Sequence, residues 1–149
     1  MQIGTPAPPF SLESDQGETV RLADLKGKKV VLYFYPKDAT SGCTVEACEF
    51  RDSWDAFTRR GAVVLGVSPD SVASHRSFRT AQDLPFPLLS DPDHAVAERY
   101  GVWGEKSLYG RKFFGIRRTT FVIDEQGRIA AVFRNVKPRG HAAQVLGEL

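Results

Sequence analysis

Apolar residues gather in three short runs, "VVLYFY" (30–35), "AVVLGVS" (62–68) and "TTFVID" (119–124), each flanked by polar or turn-forming residues. The runs are rich in β-branched and aromatic side chains and do not alternate with polar ones. They therefore predict strands buried on both faces. Two further stretches pair a turn signal with apolar flanks: "DEQG" leads from the third run into "RIAAVFRN", and "SDQGE" separates "PFSLE" from "TVRL". Both predict hairpins, the second near the N-terminus.

Between the strands the period changes. Cys43, Ala47, Phe50, Trp54 and Phe57 recur at spacings of four, three, four and three, which places them on one helical stripe facing a sheet. Further helices are expected near 70–81, 92–100 and 140–148. Strand, helix, strand and helix, then a hairpin and a closing helix, make an α/β architecture of three layers, with a central mixed sheet flanked by helices. No repeat or linker-like shift interrupts the pattern, and "TPAPP" reads as an extended lead-in, so residues 1–149 are expected to form a single domain.

Composition narrows the function classes. A chain of 149 residues buries roughly two thirds of its unfolded surface without disulfide staples, so the cysteines need not be structural. Hydrophobic residues at 42% and charged residues at 26% are ordinary for a soluble protein, and no segment nears the roughly 20 apolar residues of a membrane span. The start, "MQIGTPAPPF", lacks the basic head and apolar stretch of a secretory signal, so a cytoplasmic protein with no membrane partner is expected. A net charge of +2 argues against a nucleic-acid partner. The basic pairs Arg59-Arg60, Arg111-Lys112 and Arg117-Arg118 are interrupted by acids or apolar residues and read as solvated surface.

The chemistry concentrates in "YPKDATSGCTVEAC", which holds both cysteines of the chain, Cys43 and Cys48. Thr40 and Ser41 are N-cap residue types at the junction of strand and helix, which puts Cys43 in the first helical turn. A free thiol of pKa about 8.5 is only roughly 3% thiolate at pH 7, and helix N-termini and nearby cations lower such values. Cys43 is thus placed to act as a nucleophile. Five residues of ideal helix separate Cα atoms by roughly 8 to 9 Å, beyond the roughly 7 Å that a disulfide spans. A bond from Cys43 to Cys48 would require the first turns to unwind, making oxidation a local folding transition. The spacing is equally compatible with two small, buried, inert side chains. Two cysteines with the scattered His75, His94 and His141 offer none of the paired spacings of zinc sites, and four residues between the thiols instead of two argue against a C-x-x-C dithiol.

At these residues the chain resembles the peroxiredoxins, thiol-dependent peroxidases with a thioredoxin-like fold, and within them the bacterioferritin comigratory protein or PrxQ branch. The P-x-x-x-T-x-x-C signature stands as Pro36, Thr40 and Cys43. "YPKDATSGCTVEACEFRD", "VLGVSPD", "FPLLSDPDHAVAERYGVWGEK" and "GIRRTTFVID" follow in the order seen in that branch, so the resemblance covers nearly the whole chain.

The resemblance implies Cys43 as the peroxidatic cysteine, Thr40 as a hydroxyl contacting it and the peroxide, and Pro36 as a shield from solvent. It implies Arg118 as the active-site arginine and Glu46 as the acid orienting it, with Arg117 and Arg51 as alternatives for the cation. Trp103 reads as packing. The reaction so implied needs no metal or organic cofactor: a Cys43 sulfenic acid is resolved by Cys48 within one chain, which permits a monomer, and the disulfide is reduced by thioredoxin, with glutaredoxin as the alternative. Two readings of other classes stand beside it, a redox-sensing module without turnover and an interaction domain with inert cysteines.

Overall fold

A computed structural model describes residues 2–149. The three apolar runs become β3 (Lys29–Phe34), β4 (Ala62–Ser68) and β8 (Thr119–Ile123). The N-terminal hairpin is β1 (Ser11–Ser14) with β2 (Thr19–Arg21), and β9 (Ile129–Phe133) returns beside β8 after "DEQG". The short β5 (Leu88–Ser90) completes a seven-stranded sheet of order β2-β1-β5-β4-β3-β8-β9. β3, β4 and β5 are parallel, while β8 runs antiparallel to β3 and β1 antiparallel to β5. The sheet is thus mixed, as the patterning predicts.

Helices cover both faces. α1 (Ser41–Asp52) and α2 (Trp54–Arg59) divide the expected single stripe at Ser53, and α3 (Val72–Gln82), α4 (Ala95–Arg99) and α5 (His141–Leu146) fall in the other predicted windows. Period-two alternation sorts the β3 side chains into two cores. Val30, Leu32 and Phe34 join Leu65, Val67, Tyr100 and Phe121 on one face. Val31, Tyr33 and the following Tyr35 join Cys43, Ala47, Phe50, Phe86 and Val145 on the other. Cys43 therefore sits in the layer between sheet and α1, on the stripe that buries that helix.

The largest departure from the sequence reading lies between α4 and β8. Residues 103–116 form an additional hairpin, β6 (Trp103–Leu108) with β7 (Arg111–Ile116), in a two-stranded sheet of its own. Its residues are mostly exposed, so it lacks the apolar signature that marks the central strands.

Packing at the centre of the sheet is tight enough to predict one substitution. A Cβ on Gly66 of β4 would lie 2.9 Å from Leu88 Cδ2 and from the Tyr33 Cζ and Oη atoms. Gly66→Ala is expected to destabilise the protein by about 1–3 kcal/mol through overpacking, measured as a lower urea midpoint with an unchanged slope.

Candidate active site

The site begins where β3 runs out. Tyr35 still pairs with the sheet through its N–H to the Val67 carbonyl (3.0 Å), after which the chain turns through Pro36, Lys37, Asp38 and Ala39. Ala39 takes a left-handed φ of 63°, a conformation unfavourable for a non-glycine residue and held here by the contacts of its neighbours. The enforcing contacts converge on the buried Asp38. Its carboxylate accepts from Tyr35 OH (2.6 Å) and Ser74 Oγ (2.8 Å) and meets His75 Nδ1 at 2.7 Å, while its backbone N–H donates to Asp70 Oδ2 (2.8 Å).

Asp38, Asp70 and His75 present ligand-type atoms within 4.8 Å of one another, a spacing that would suit a cation. Their atoms are already engaged: His75 Nε2 faces the Leu89 carbonyl at 2.9 Å, and Asp70 Oδ2 also accepts from Ser68 Oγ at 2.6 Å. The cluster is best read as an anchor that ties the turn before α1 to α3 and the sheet.

Thr40 is the N-cap of α1, with extended backbone angles. The first ladder bond runs from the Thr44 N–H to the Thr40 carbonyl (2.9 Å), so the N–H groups of Ser41, Gly42 and Cys43 have no acceptor within the helix. The Thr40 side chain does not cap them, because its hydroxyl donates to the Lys37 carbonyl (2.9 Å). The helix start thus keeps uncapped N–H donors at the turn that carries the thiol, an arrangement suited to an oxygen bearing negative charge.

Cys43 is 1% exposed, and Arg118 Nη2 donates to its Sγ at 3.3 Å. The other arm of the same guanidinium, Nη1, donates to Glu46 Oε1 at 2.6 Å. Arg118 stands just before β8, the antiparallel neighbour of β3, and Glu46 lies one turn beyond Cys43 on α1. Three residues that are distant in sequence or faceless in composition are in this way brought to one point. Gly42 makes room for them: a Cβ there would lie 3.2 Å from Arg118 Nη2 and 3.4 Å from Pro138 Cγ.

Burial dominates the electrostatics. It pushes the Glu46 carboxyl up to about 7, even against the favourable charge and hydrogen bond of Arg118. Glu46 Oε2 has no hydrogen-bond partner among the described residues, in keeping with an incompletely compensated carboxylate. Burial also works against the charge of Arg118, but its contacts with Glu46 and Cys43 outweigh this and hold the guanidinium above its ordinary range. The pair is therefore a fixed cation beside an acid that changes charge near neutrality.

A carboxyl raised in the folded state stabilises that state when protonated. The stabilisation is complete below the unfolded value, near 4.5, and is lost as pH rises through about 7. Between those limits wild type is expected to lose roughly 3 kcal/mol relative to Glu46→Gln, read from urea unfolding at pH 4.5 and 8. Parallel pH dependence of the two proteins would show that Glu46 carries no raised pKa.

Cys48 is half-buried and faces elsewhere. Its Sγ donates to Gln82 Oε1 (3.4 Å) at the end of α3, and Arg51 Nη1 donates to the Gln82 carbonyl (2.7 Å). Both cysteines are free thiols on one unbroken helix.

Of the residues singled out in the sequence, the structure gathers Cys43, Arg118 and Glu46 in direct contact. Pro36 and Thr40 lie in the turn leading to them, with the Thr40 hydroxyl on the Lys37 carbonyl and not on the thiol. Arg51 serves Gln82, and Arg117 donates to the Glu105 carbonyl (3.2 Å) on the extra hairpin, so neither alternative cation occupies the thiol. Trp103 stacks on His94, with ring centroids 3.8 Å apart. Sequence reasoning missed Gly42 and the Asp38–His75 anchor. Their residue types carry no local signal, although Asp38 stands inside the cysteine-bearing motif.

Known proteins resemble this chain over its whole length. Residues 3–132 match the AhpC/TSA family. The chain is 50% identical to the peroxiredoxin Bcp of Bacillus subtilis, over all of this chain and 95% of that one. Among solved structures, a cysteine-to-serine mutant of PrxQ from Xylella fastidiosa superposes with a TM-score of 0.94 at 39% identity, covering 99% of this chain and 94% of that one. The bacterioferritin comigratory protein of Xanthomonas campestris gives 0.91 at 38%, covering 98% and 96%. A buried thiol at a helix start under an arginine, on a thioredoxin-type sheet, thus stands beside full-length similarity, and the chain belongs to the AhpC/TSA family as a peroxiredoxin of the Bcp/PrxQ branch, an oxidoreductase with thiol peroxidase activity.

Proposed function

We propose that this peroxidase reduces hydrogen peroxide and organic hydroperoxides through Cys43, and that Cys48 resolves the product within the same chain. The observation that carries the proposal is the single guanidinium of Arg118, held by Glu46 at 2.6 Å and aimed at Cys43 Sγ at 3.3 Å. In the first step the Cys43 thiolate attacks the terminal peroxide oxygen. An S–O bond forms, the O–O bond breaks, and the departing oxygen leaves as hydroxide or alkoxide and takes up a proton. Negative charge moves from sulfur to the leaving oxygen, and donors fixed beside that path lower the barrier because they need no reorganisation.

Arg118 and the uncapped amides of α1 are such donors. Thr40 adds a third once its hydroxyl leaves the Lys37 carbonyl, and Pro36 limits water at the rim. Organic hydroperoxides are included because the Xanthomonas campestris relative is described for its alkyl peroxide reduction activity.

The resulting Cys43 sulfenic acid condenses with the Cys48 thiol, forming an S–S bond and releasing water. Both residues lie on α1, so this step requires the helix to unwind across 43–48 and Cys48 to leave Gln82. An external dithiol protein of the thioredoxin type then exchanges with the disulfide and restores both thiols, with glutaredoxin as the alternative. The cycle is complete within a monomer.

A coupled assay with thioredoxin, its reductase and NADPH tests the sequence of steps. Wild type is expected to turn over hydrogen peroxide and cumene hydroperoxide continuously, whereas Cys48→Ser reduces about one equivalent and then stalls with a sulfenic acid on Cys43. Undiminished turnover by Cys48→Ser with thioredoxin would remove Cys48 from the cycle.

A further inference from the structure

Among the described residues the exposed large hydrophobic side chains are Ile3 and four on the β6–β7 hairpin: Leu108 (57% exposed), Tyr109 (97%), Phe113 (43%) and Phe114 (65%). Four such side chains within seven positions form a patch that solvent does not favour. The apex is strained as well. Tyr109 (φ 52°) and Gly110 (φ 77°) are the central residues of a two-residue turn with both φ angles positive. That geometry favours asparagine, aspartate or glycine at its first position. A tyrosine in left-handed conformation with nearly all its surface in water gains nothing from the fold.

The strand register decides what could cover the patch. Lys106 pairs with Phe113 and Leu108 with Arg111, so these four project from one face, while Glu105 with Phe114 and Ser107 with Lys112 project from the other. Apolar groups thus surround the tip on both faces and at its apex, with Lys106 and Arg111 beside them on one face and Lys112, 3.7 Å from the exposed Glu105 carboxylate, on the other. A flat protein partner, or a second copy pairing face to face, would cover one face and leave Phe113 or Phe114 in water. A lipid interface surrounds a protruding tip on every side, accepts tyrosine and phenylalanine at the headgroup level, and supplies phosphates to flanking arginine and lysine.

We infer that the β6–β7 hairpin is a peripheral docking element for an anionic lipid surface. Leu108, Tyr109, Phe113 and Phe114 enter the headgroup region, and Arg111 and Lys112 meet lipid phosphates. The Arg111-Lys112 pair, which the sequence presents as ordinary solvated charge, is framed by these aromatics only through the hairpin. The root of the hairpin adjoins the site. Lys106 Nζ donates to the Ile116 carbonyl (2.8 Å), two residues before Arg118, and burial together with the nearby Arg118 charge lowers the Lys106 pKa. Docking would bring the Cys43–Arg118 site close to the lipid surface, a role independent of how the Cys43 sulfenic acid is resolved.

Co-sedimentation of the full-length protein with large vesicles tests this, using phosphatidylcholine alone and phosphatidylcholine with phosphatidylglycerol at about 3:1. Wild type is expected to partition onto the anionic vesicles at low salt, to be released at high salt, and to bind phosphatidylcholine at least about 10-fold more weakly. Tyr109→Asn with Phe114→Ser, and separately Arg111→Ser with Lys112→Ser, are each expected to lower partitioning by about 10-fold or more. Both double variants should reduce hydrogen peroxide in solution at the wild-type rate, which verifies the fold, and asparagine suits the turn better than tyrosine. Failure of wild type to sediment with anionic vesicles would overturn the proposal, as would binding that the aromatic double variant retains. Concentration-dependent dimerisation abolished by that variant would assign the patch to a second copy and overturn it equally.

Discussion

Cys43→Ser is expected to lower the rate of peroxide reduction by at least about 10³-fold, because a serine hydroxyl is essentially un-ionised near neutrality and a far poorer nucleophile than a thiolate. The oxygen occupies nearly the same buried volume and still accepts from Arg118 Nη2, which donates to Sγ at 3.3 Å in the wild-type structure. Folding stability should therefore change by less than about 2 kcal/mol. Stopped-flow peroxide consumption together with urea unfolding separates loss of the nucleophile from loss of the fold. A Cys43→Ser protein as active as wild type would place the reaction at another group.

Arg118→Ala has the second large effect, and it is double. It removes the donor facing the sulfur, for which a loss of about 10²–10³-fold in kcat/KM is the usual size at a preorganised anion site. It also strips the buried Glu46 of its cation, leaving both carboxylate oxygens without a partner. Removing one member of a buried pair destabilises by about 3–5 kcal/mol when the remaining charge must persist. Glu46 has an escape, since a carboxyl already raised to about 7 rises further without Arg118 and becomes neutral. The destabilisation should accordingly be largest above neutral pH and fade in acid.

The double variant Arg118→Ala with Glu46→Gln should recover much of the stability and none of the activity. Recovery of both would reduce Arg118 to a structural role. Arg118→Lys should fall between, because a single ammonium cannot bridge Sγ and Glu46 as the two-armed guanidinium does.

The main architecture was legible because the central strands are buried on both faces and read as unbroken apolar runs. The helix over Cys43 was legible because its stripe packs on them. β5 escaped because three residues are too few for a period, and the β6–β7 hairpin because its apolar positions point into solvent, where patterning has no core to report. The helix break at Ser53 escaped because the stripe continues across it into α2.

At the site, local rules placed Cys43 in the first turn of α1, but nothing local connects it with Arg118. That contact depends on β8 running antiparallel to β3, a tertiary fact supplied in advance only by resemblance. Resemblance also directed the Thr40 hydroxyl to the thiol, whereas the structure gives it to the Lys37 carbonyl. Gly42 was invisible for a related reason, since its value lies in the 3.2 Å that a Cβ would leave to Arg118 Nη2.

The proposed cycle requires the helix start that holds Cys43 to unwind and deliver Cys48 to it. The most direct measurement is intact mass and non-reducing peptide mapping of the protein after one equivalent of hydrogen peroxide. The expected product is a monomer lighter by two hydrogens, with Cys43 and Cys48 joined in one linked peptide pair. A stable Cys43 sulfenic acid in wild type, or a disulfide between two chains, would contradict it.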